Sequence, residues 1–152
     1  MIFTLISAFI FIVIAYFIHK RISYMEMYTA VLFSAVFQLI VDILLEFKYE
    51  LYGYFDKGVD YQTFIFILMI YPSLTVIFLN YLPLGRGKII FILYMLGWII
   101  FAIIYEYFAV QVGAFYYVNW KLWYSAIIYP FVYLLIVLNF LFIRKLIAVN
   151  TK

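Results

Sequence analysis

The sequence predicts an all-α integral membrane protein, a single transmembrane domain in which five helices form a bundle over residues 1–152. Its 152 residues are 71% hydrophobic and only 11% charged, whereas soluble domains are roughly 45–50% apolar and about 25% charged. A small soluble core cannot bury this excess, because a domain of this size leaves much of its surface exposed. The apolar residues also form continuous runs near the roughly 20 residues that a helix needs to cross a bilayer.

Five apolar runs carry the predicted spans, at about residues 2–18, 27–47, 62–82, 89–108 and 122–143. The first is uncharged and is followed directly by His19, Lys20 and Arg21, as in an uncleaved anchor whose N-terminus is outside. The third and fifth contain Pro72 and Pro130, which neighbouring helices make tolerable in a membrane and which often kink a helix. The runs are continuously apolar rather than alternating, which favours helices over lipid-spanning strands.

Lysine and arginine set the predicted orientation, because they collect on the cytoplasmic side of membrane proteins. One set of connections carries Lys20, Arg21, Arg86, Lys88, Arg144, Lys145 and Lys152, and the other carries only Lys48, Lys57 and Lys121. We therefore expect a multi-pass protein of the cell membrane with its N-terminus outside and its C-terminus in the cytoplasm. The basic residues lie in short clusters between apolar runs, so the net charge of +3 is interpreted as a topology signal and not as a nucleic-acid surface.

Polar side chains recur every four residues in the second apolar run, at Ser34, Gln38, Asp42 and Glu46. On a helix the last three fall within an arc of about 80°. Ionisable residues at membrane depth are costly and are functional candidates for that reason. In the predicted orientation Asp42 and Glu46 lie in the outer half of the second helix, and Glu106 lies at a similar depth on the fourth. The three acids converge if these two helices are neighbours.

No lysine or arginine lies within the spans to neutralise these acids. Tyrosine hydroxyls, backbone groups, Lys48, Lys121, water or a bound cation remain as partners. The functional interpretation is a cation or proton site open to the outer face, in which Gln38 orients Asp42; the identity of any metal is left open. The structural alternative is that Glu46 and Glu106 mark helix ends and that Asp42 makes an interhelical hydrogen bond.

The second outer loop offers an aromatic pocket formed by Tyr117, Asn119 and Trp120. Aromatic rings that flank a membrane span more often form an interfacial belt, and that alternative stays open. His19, the only histidine, is expected at the inner interface, on the wrong side to serve Asp42.

Two other loops resemble ligand motifs only superficially. Asp56 and Asp60 flank a glycine without the further oxygen ligands of a calcium loop, so a solvated turn is expected. The turn Gly85–Lys88 lacks the spacing of a phosphate loop and the following Ser or Thr. Its basic residues are expected to contact anionic lipid headgroups.

One segment of about 20 residues carries a family resemblance. Its pattern is Glu106-Tyr107, Val112-Gly113, Tyr117, Asn119-Trp120, Leu122 and Trp123-Tyr124-Ser125. This pattern resembles a family of small uncharacterised multi-pass membrane proteins of spore-forming Firmicutes. The resemblance implies a bacterial cytoplasmic-membrane protein and carries no activity or catalytic residue to this chain. It favours Glu106 and the loop before the fifth helix as parts of one feature.

The first functional hypothesis is a transporter, channel or sensor whose outer pocket holds a cation or proton at the acids named above. The alternative is a non-catalytic structural or accessory subunit of a larger membrane complex. A lipid-modifying enzyme that uses the same acids is the third hypothesis. Zinc, serine-triad and nucleotide motifs are absent from the sequence, so we expect no enzyme and no cofactor. The expected partners are membrane lipids and, because the bundle is small, further copies of the chain or a larger complex.

Overall fold

The computed structural model describes residues 1–55 and 61–150, which are mostly helical. Their helices are, in chain order, α1 (Ile2–Phe17), α2 (Tyr24–Lys48), α3 (Thr63–Asn80), α4 (Lys88–Gln111) and α5 (Leu122–Asn150). Helices α2 to α5 are long and apolar enough to cross a membrane. Helix α1 has 16 residues and is about 24 Å long, shorter than a hydrocarbon core of about 30 Å. The predicted turn at Asp56 and Asp60 lies outside the described residues.

Several helix ends differ from the predicted spans, and side chains explain the start of α2. Helix α2 begins at Tyr24, earlier than the predicted residue 27, because Ser23 and Glu26 form a capping box. The Glu26 N–H donates to Ser23 Oγ at 3.2 Å, and the Ser23 N–H donates to Glu26 Oε2 at 2.7 Å. These bonds satisfy two of the N–H groups that a helix start leaves open. Helix α5 continues to Asn150, beyond the predicted end at 143.

Two helices contain wider, π-helical turns. Helix α2 ends in one at Ile43–Lys48, directly after Asp42, and α3 contains another at Phe66–Ile70, just before Pro72. Proline has no N–H to donate, and its ring crowds the carbonyl four residues earlier, so the regular α-helical ladder is interrupted there. Such π-helical turns often occur at functional sites.

Two three-residue strands join the loops at one end of the bundle. Strand β1 (Tyr52–Tyr54) follows α2, strand β2 (Phe115–Tyr117) follows α4, and they pair antiparallel. We call this pair the ribbon. Both strands lie in segments that the sequence predicts as loops, because a three-residue strand is too short to show a period and its partner lies far away in the chain. The ribbon fixes both loops against each other and over the ends of the helices.

The packing of neighbouring helices forms two buried clusters inside the bundle. The helix backbones come closest in the pairs α2–α3, α2–α5, α4–α5 and α1–α3. One buried cluster lies under the ribbon and includes Tyr54, Phe66, Ile70 and Phe115. A second includes Phe78, Val137 and Phe140, nearer the other end. Helices α2 and α4 are therefore connected mainly through α5, which is close to both, rather than as direct neighbours.

Candidate functional site

Asp42 is buried, with 1% of its surface exposed, and three neutral donors converge on one of its oxygens. Gln38 Nε2 donates to Asp42 Oδ1 at 2.8 Å, Tyr52 OH at 2.9 Å and Tyr54 OH at 3.3 Å. The second oxygen, Oδ2, is buried and has no hydrogen-bond partner in the described part of the chain. One oxygen of the carboxyl group is thus hydrogen-bonded by three side chains, and the other is buried without a hydrogen bond from any described residue.

Helix and strand periods bring these donors together. Gln38 lies one helical turn before Asp42, and Tyr52 and Tyr54 project from the same face of β1 because strand side chains alternate. The Tyr54 hydroxyl also lies 3.2 Å from the Tyr71 hydroxyl of α3. Burial, and next the nearby Asp42 carboxylate, raises the pKa of Tyr52 above its usual range. Tyr52 therefore remains a protonated donor at neutral pH.

Glu106 on α4 is buried in a second cluster of donors. Tyr117 OH and Ser125 Oγ donate to Glu106 Oε1 at 2.5 Å and 2.7 Å, and Tyr129 OH donates to Oε2. Trp120 Nε1 donates in turn to Ser125 Oγ at 2.8 Å. Burial, and next the hydrogen bond to Glu106, raises the pKa of Tyr117 above its usual range. Both oxygens of this carboxyl group are therefore engaged.

Both clusters border one cavity of about 180 Å³ between the helices and under the ribbon. Glu106 itself lines it, and so do Gln38, Tyr52 and Tyr54 of the Asp42 cluster. Much of the remaining wall is aromatic, with Tyr71, Trp98, Phe115, Trp120 and Tyr133 among its members. Over residues 1–55 and 61–150, no lysine, arginine or histidine lines the cavity. Its polar wall consists of neutral donors and one carboxylate.

The remaining predicted site residues have different surroundings. Ser34 lines the cavity, whereas Glu46 is buried in the π-helical turn of α2. Of the predicted aromatic pocket only Trp120 lines the cavity. Tyr117 donates to Glu106, and Asn119 is exposed. Asn119 contributes its backbone N–H to a carbonyl on the other loop, at 3.0 Å.

A metal site of several protein ligands is not formed by the described residues. Residues 1–55 and 61–150 contain no group of three or more His, Cys, Asp or Glu side chains placed to hold a metal ion. Asp42 and Glu106 have separate sets of hydrogen-bond donors. Glu106 lines the cavity directly, whereas Asp42 lies behind the side chains of Gln38, Tyr52 and Tyr54, which do.

Tyrosine hydroxyls were expected among the partners of the acids, but the sequence did not indicate which ones. The partners are Tyr52, Tyr54, Tyr117 and Tyr129. For Tyr52 and Tyr54 the sequence offers no signal, because a three-residue strand is too short to show a period. For Tyr129, the signal was its position one helical turn after Ser125.

Four residues of the pattern between Glu106 and Ser125 are joined by hydrogen bonds. Glu106 accepts hydrogen bonds from Tyr117 and Ser125, and Trp120 donates to the same serine. The segment from Glu106 to Ser125 therefore contains one connected hydrogen-bond network.

No family model, no curated protein and no solved structure matches this chain. Its function has to be inferred from the cavity and the two carboxyl clusters.

Proposed function

We propose that this protein is a multi-pass protein of the cell membrane, a transporter, channel or sensor, that binds a proton or a small cation in the cavity under the ribbon. Asp42 is the primary binding group, Gln38 orients it, and Glu106 supplies a second negative charge. In the proposed topology the ribbon faces outside, so the ligand enters from the outer side.

Oδ2 of Asp42, buried and without a hydrogen-bond partner among the described residues, carries the proposal. A buried polar atom without a hydrogen bond is costly, and a buried charged oxygen is more costly still. A proton or a cation on Oδ2 removes this cost, while the donors to Oδ1 hold the carboxyl group in place. An acid that served only as a packing contact between helices gains nothing from leaving one oxygen buried and unsatisfied.

The charge of the cavity points to the same class of ligand. The donors around Asp42 and Glu106 are neutral, so they stabilise the carboxylates without cancelling their charge. The aromatic wall includes Trp98 and Trp120, whose ring faces attract cations in a desolvated site. A low effective dielectric in the interior strengthens both attractions.

Cation binding is measurable through the two tryptophans that line the cavity, Trp98 and Trp120. The exposed Trp123 is replaced by Phe to remove its background signal. The purified protein is titrated with Na⁺, K⁺ and tetramethylammonium at constant ionic strength, and separately with acid. We expect a saturable change in fluorescence with at least one of these cations, or a transition with pH.

The same titrations of Asp42→Asn test the residue. Replacing the carboxyl group by an amide removes its charge and its protonation, so we expect a loss of affinity of at least about tenfold or loss of the pH transition. Glu50→Gln is the matched control, because Glu50 is an exposed acid near the ribbon. Equal behaviour of wild type and Asp42→Asn, at unchanged helicity by circular dichroism, contradicts the proposal.

A further inference from the structure

A second cavity, of about 160 Å³, lies at the end of the bundle opposite the ribbon. The connection between α1 and α2, the turn between α3 and α4, and the distal part of α5 meet there. Each contributes one arginine to the wall, Arg21, Arg86 and Arg144 respectively. Within the described residues, the lining of this cavity contains no acidic side chain.

Arg21 is held in place by a buried asparagine and an aromatic ring. The backbone N–H of Arg21 donates to Asn80 Oδ1 at 2.7 Å, and Asn80 Nδ2 donates to the backbone carbonyl of His19 at 3.0 Å. Asn80 is 3% exposed, so it fixes the α1–α2 connection against the end of α3. The Arg21 guanidinium lies 5.2 Å from the centre of the Tyr81 ring, within the range of a cation–π contact.

Arg144 is positioned by an acid, Glu26, and by the aromatic ring of Phe140. Its Nε donates to Glu26 Oε1 at 2.6 Å, and its guanidinium lies 4.5 Å from the centre of the Phe140 ring. Glu26 is itself held by the Ser23 N–H in the capping box. A guanidinium has five N–H donors, so the bond to Glu26 leaves its terminal NH₂ groups to face a ligand. Glu26 offsets only one of the three positive charges.

We propose that this cavity binds a phosphate-class oxyanion, either the phosphate of an anionic lipid headgroup or free phosphate. Guanidinium groups are planar forks that match phosphate oxygens in pairs. Two of the three arginines are pre-positioned by partners on the protein, which lowers the cost of ordering them when a ligand binds. The lysine and arginine distribution predicts this end to be cytoplasmic, where anionic headgroups attract basic residues.

The purified protein in neutral detergent is heated in two series. The first compares sodium phosphate with sodium chloride at equal ionic strength, and the second compares short-chain phosphatidylglycerol with phosphatidylcholine. Because a ligand that binds only the folded state raises its apparent stability, we expect a saturable rise in the unfolding temperature in at least one series. A rise with phosphatidylglycerol alone assigns the site to a headgroup, and a rise with phosphate assigns it to the free anion.

Arg21→Gln and Arg86→Gln test the site residues, and each is expected to weaken the effective ligand about tenfold. These two arginines are exposed, whereas replacing Arg144 leaves the buried Glu26 without its ion pair and destabilises the fold. Lys145→Gln is the matched control, an exposed basic residue next to Arg144 that does not line the cavity. The proposal is overturned if neither series shows stabilisation, if both arginine variants bind like wild type, or if Lys145→Gln weakens binding equally.

Discussion

The two buried acids show how a carboxylate is accommodated in an apolar bundle without a basic partner. Insertion of an acid near the membrane centre costs about 2.5–3.5 kcal/mol. Asp42 and Glu106 are each met by three side-chain donors, mostly tyrosine hydroxyls. Hydroxyl donors stabilise the charged form but leave its charge in place. Among the described residues of the cavity wall, no lysine, arginine or histidine cancels that charge.

Tyr117→Phe tests the Glu106 cluster at the level of one hydroxyl. The variant removes the donor at 2.5 Å from Glu106 Oε1 and is expected to lose about 1–3 kcal/mol of unfolding free energy, because a buried acceptor loses a hydrogen bond. Reversible unfolding in mixed micelles measures the difference.

Tyr107→Phe serves as the control for the same chemical change, because Tyr107 is exposed on α4, the helix that carries Glu106. Equal stability of Tyr117→Phe, Tyr107→Phe and wild type would show that the Glu106 hydrogen bond does not stabilise the fold.

The ribbon is the element that assembles the candidate site. Strand β1 carries Tyr52 and Tyr54 to Asp42, and strand β2 carries Tyr117 to Glu106. Their register places Gly53 opposite Tyr116. The Tyr116 ring covers the glycine, since a Cβ added at Gly53 would lie 2.4 Å from Tyr116 Oη. Glycine is therefore required here for close packing between strands.

Gly53→Ala is expected to destabilise the protein by about 1 kcal/mol, because the Tyr116 ring has to leave its position on the ribbon. Tyr116→Ala removes the obstacle, so the double variant should be more stable than the sum of the two single changes predicts. The unfolding free energies of wild type, the two single variants and the double variant form a double-mutant cycle that measures this coupling.

Gly97→Ala is the control for the added methyl group. A Cβ at Gly97 meets nothing within 4 Å, and alanine is favoured over glycine inside a helix by about 0.5–1 kcal/mol. Additive effects at Gly53 and Tyr116 would contradict the packing argument for the ribbon.

At the scale of the whole molecule, the two ends of the bundle differ in charge and in contents. The ribbon end covers two carboxyl clusters and an aromatic cavity, whereas the opposite end presents a cavity lined by three arginines. The three arginines are among the residues from which the orientation is predicted. In that predicted orientation the proposed cation site lies on the outer side and the proposed anion site on the cytoplasmic side.

The absence of cysteine from the sequence makes this orientation directly testable. Glu50→Cys places a single thiol beside the ribbon, and Lys145→Cys places one near the opposite end. In intact cells we expect a membrane-impermeant maleimide to label the first variant only, and to label the second after lysis.

Labelling of both variants after lysis is the internal control for thiol access. The reverse pattern in intact cells would refute the proposed orientation and would move the carboxyl clusters to the cytoplasmic side.

Much of the helical architecture was predictable because it depends on local composition. Continuous apolar runs located all five helices, and the four-residue spacing of Gln38 and Asp42 predicted their hydrogen bond side by side on α2. The predicted fifth span ends at 143, before Arg144 and Lys145, whereas the helix that contains it continues to Asn150. Arg144 instead continues the helix and pairs with Glu26 across 118 residues of chain.

The sequence by itself determined that there are helices apolar enough to cross a membrane, because its apolar excess has no place in a small soluble domain. It also determined which acids lie in apolar surroundings, since these interrupt otherwise uncharged runs. Only the tertiary structure decided what meets them: the ribbon tyrosines at Asp42, the hydroxyls at Glu106 and the arginines at the opposite end. The reason is that these contacts join separate elements, and composition and period describe one segment at a time.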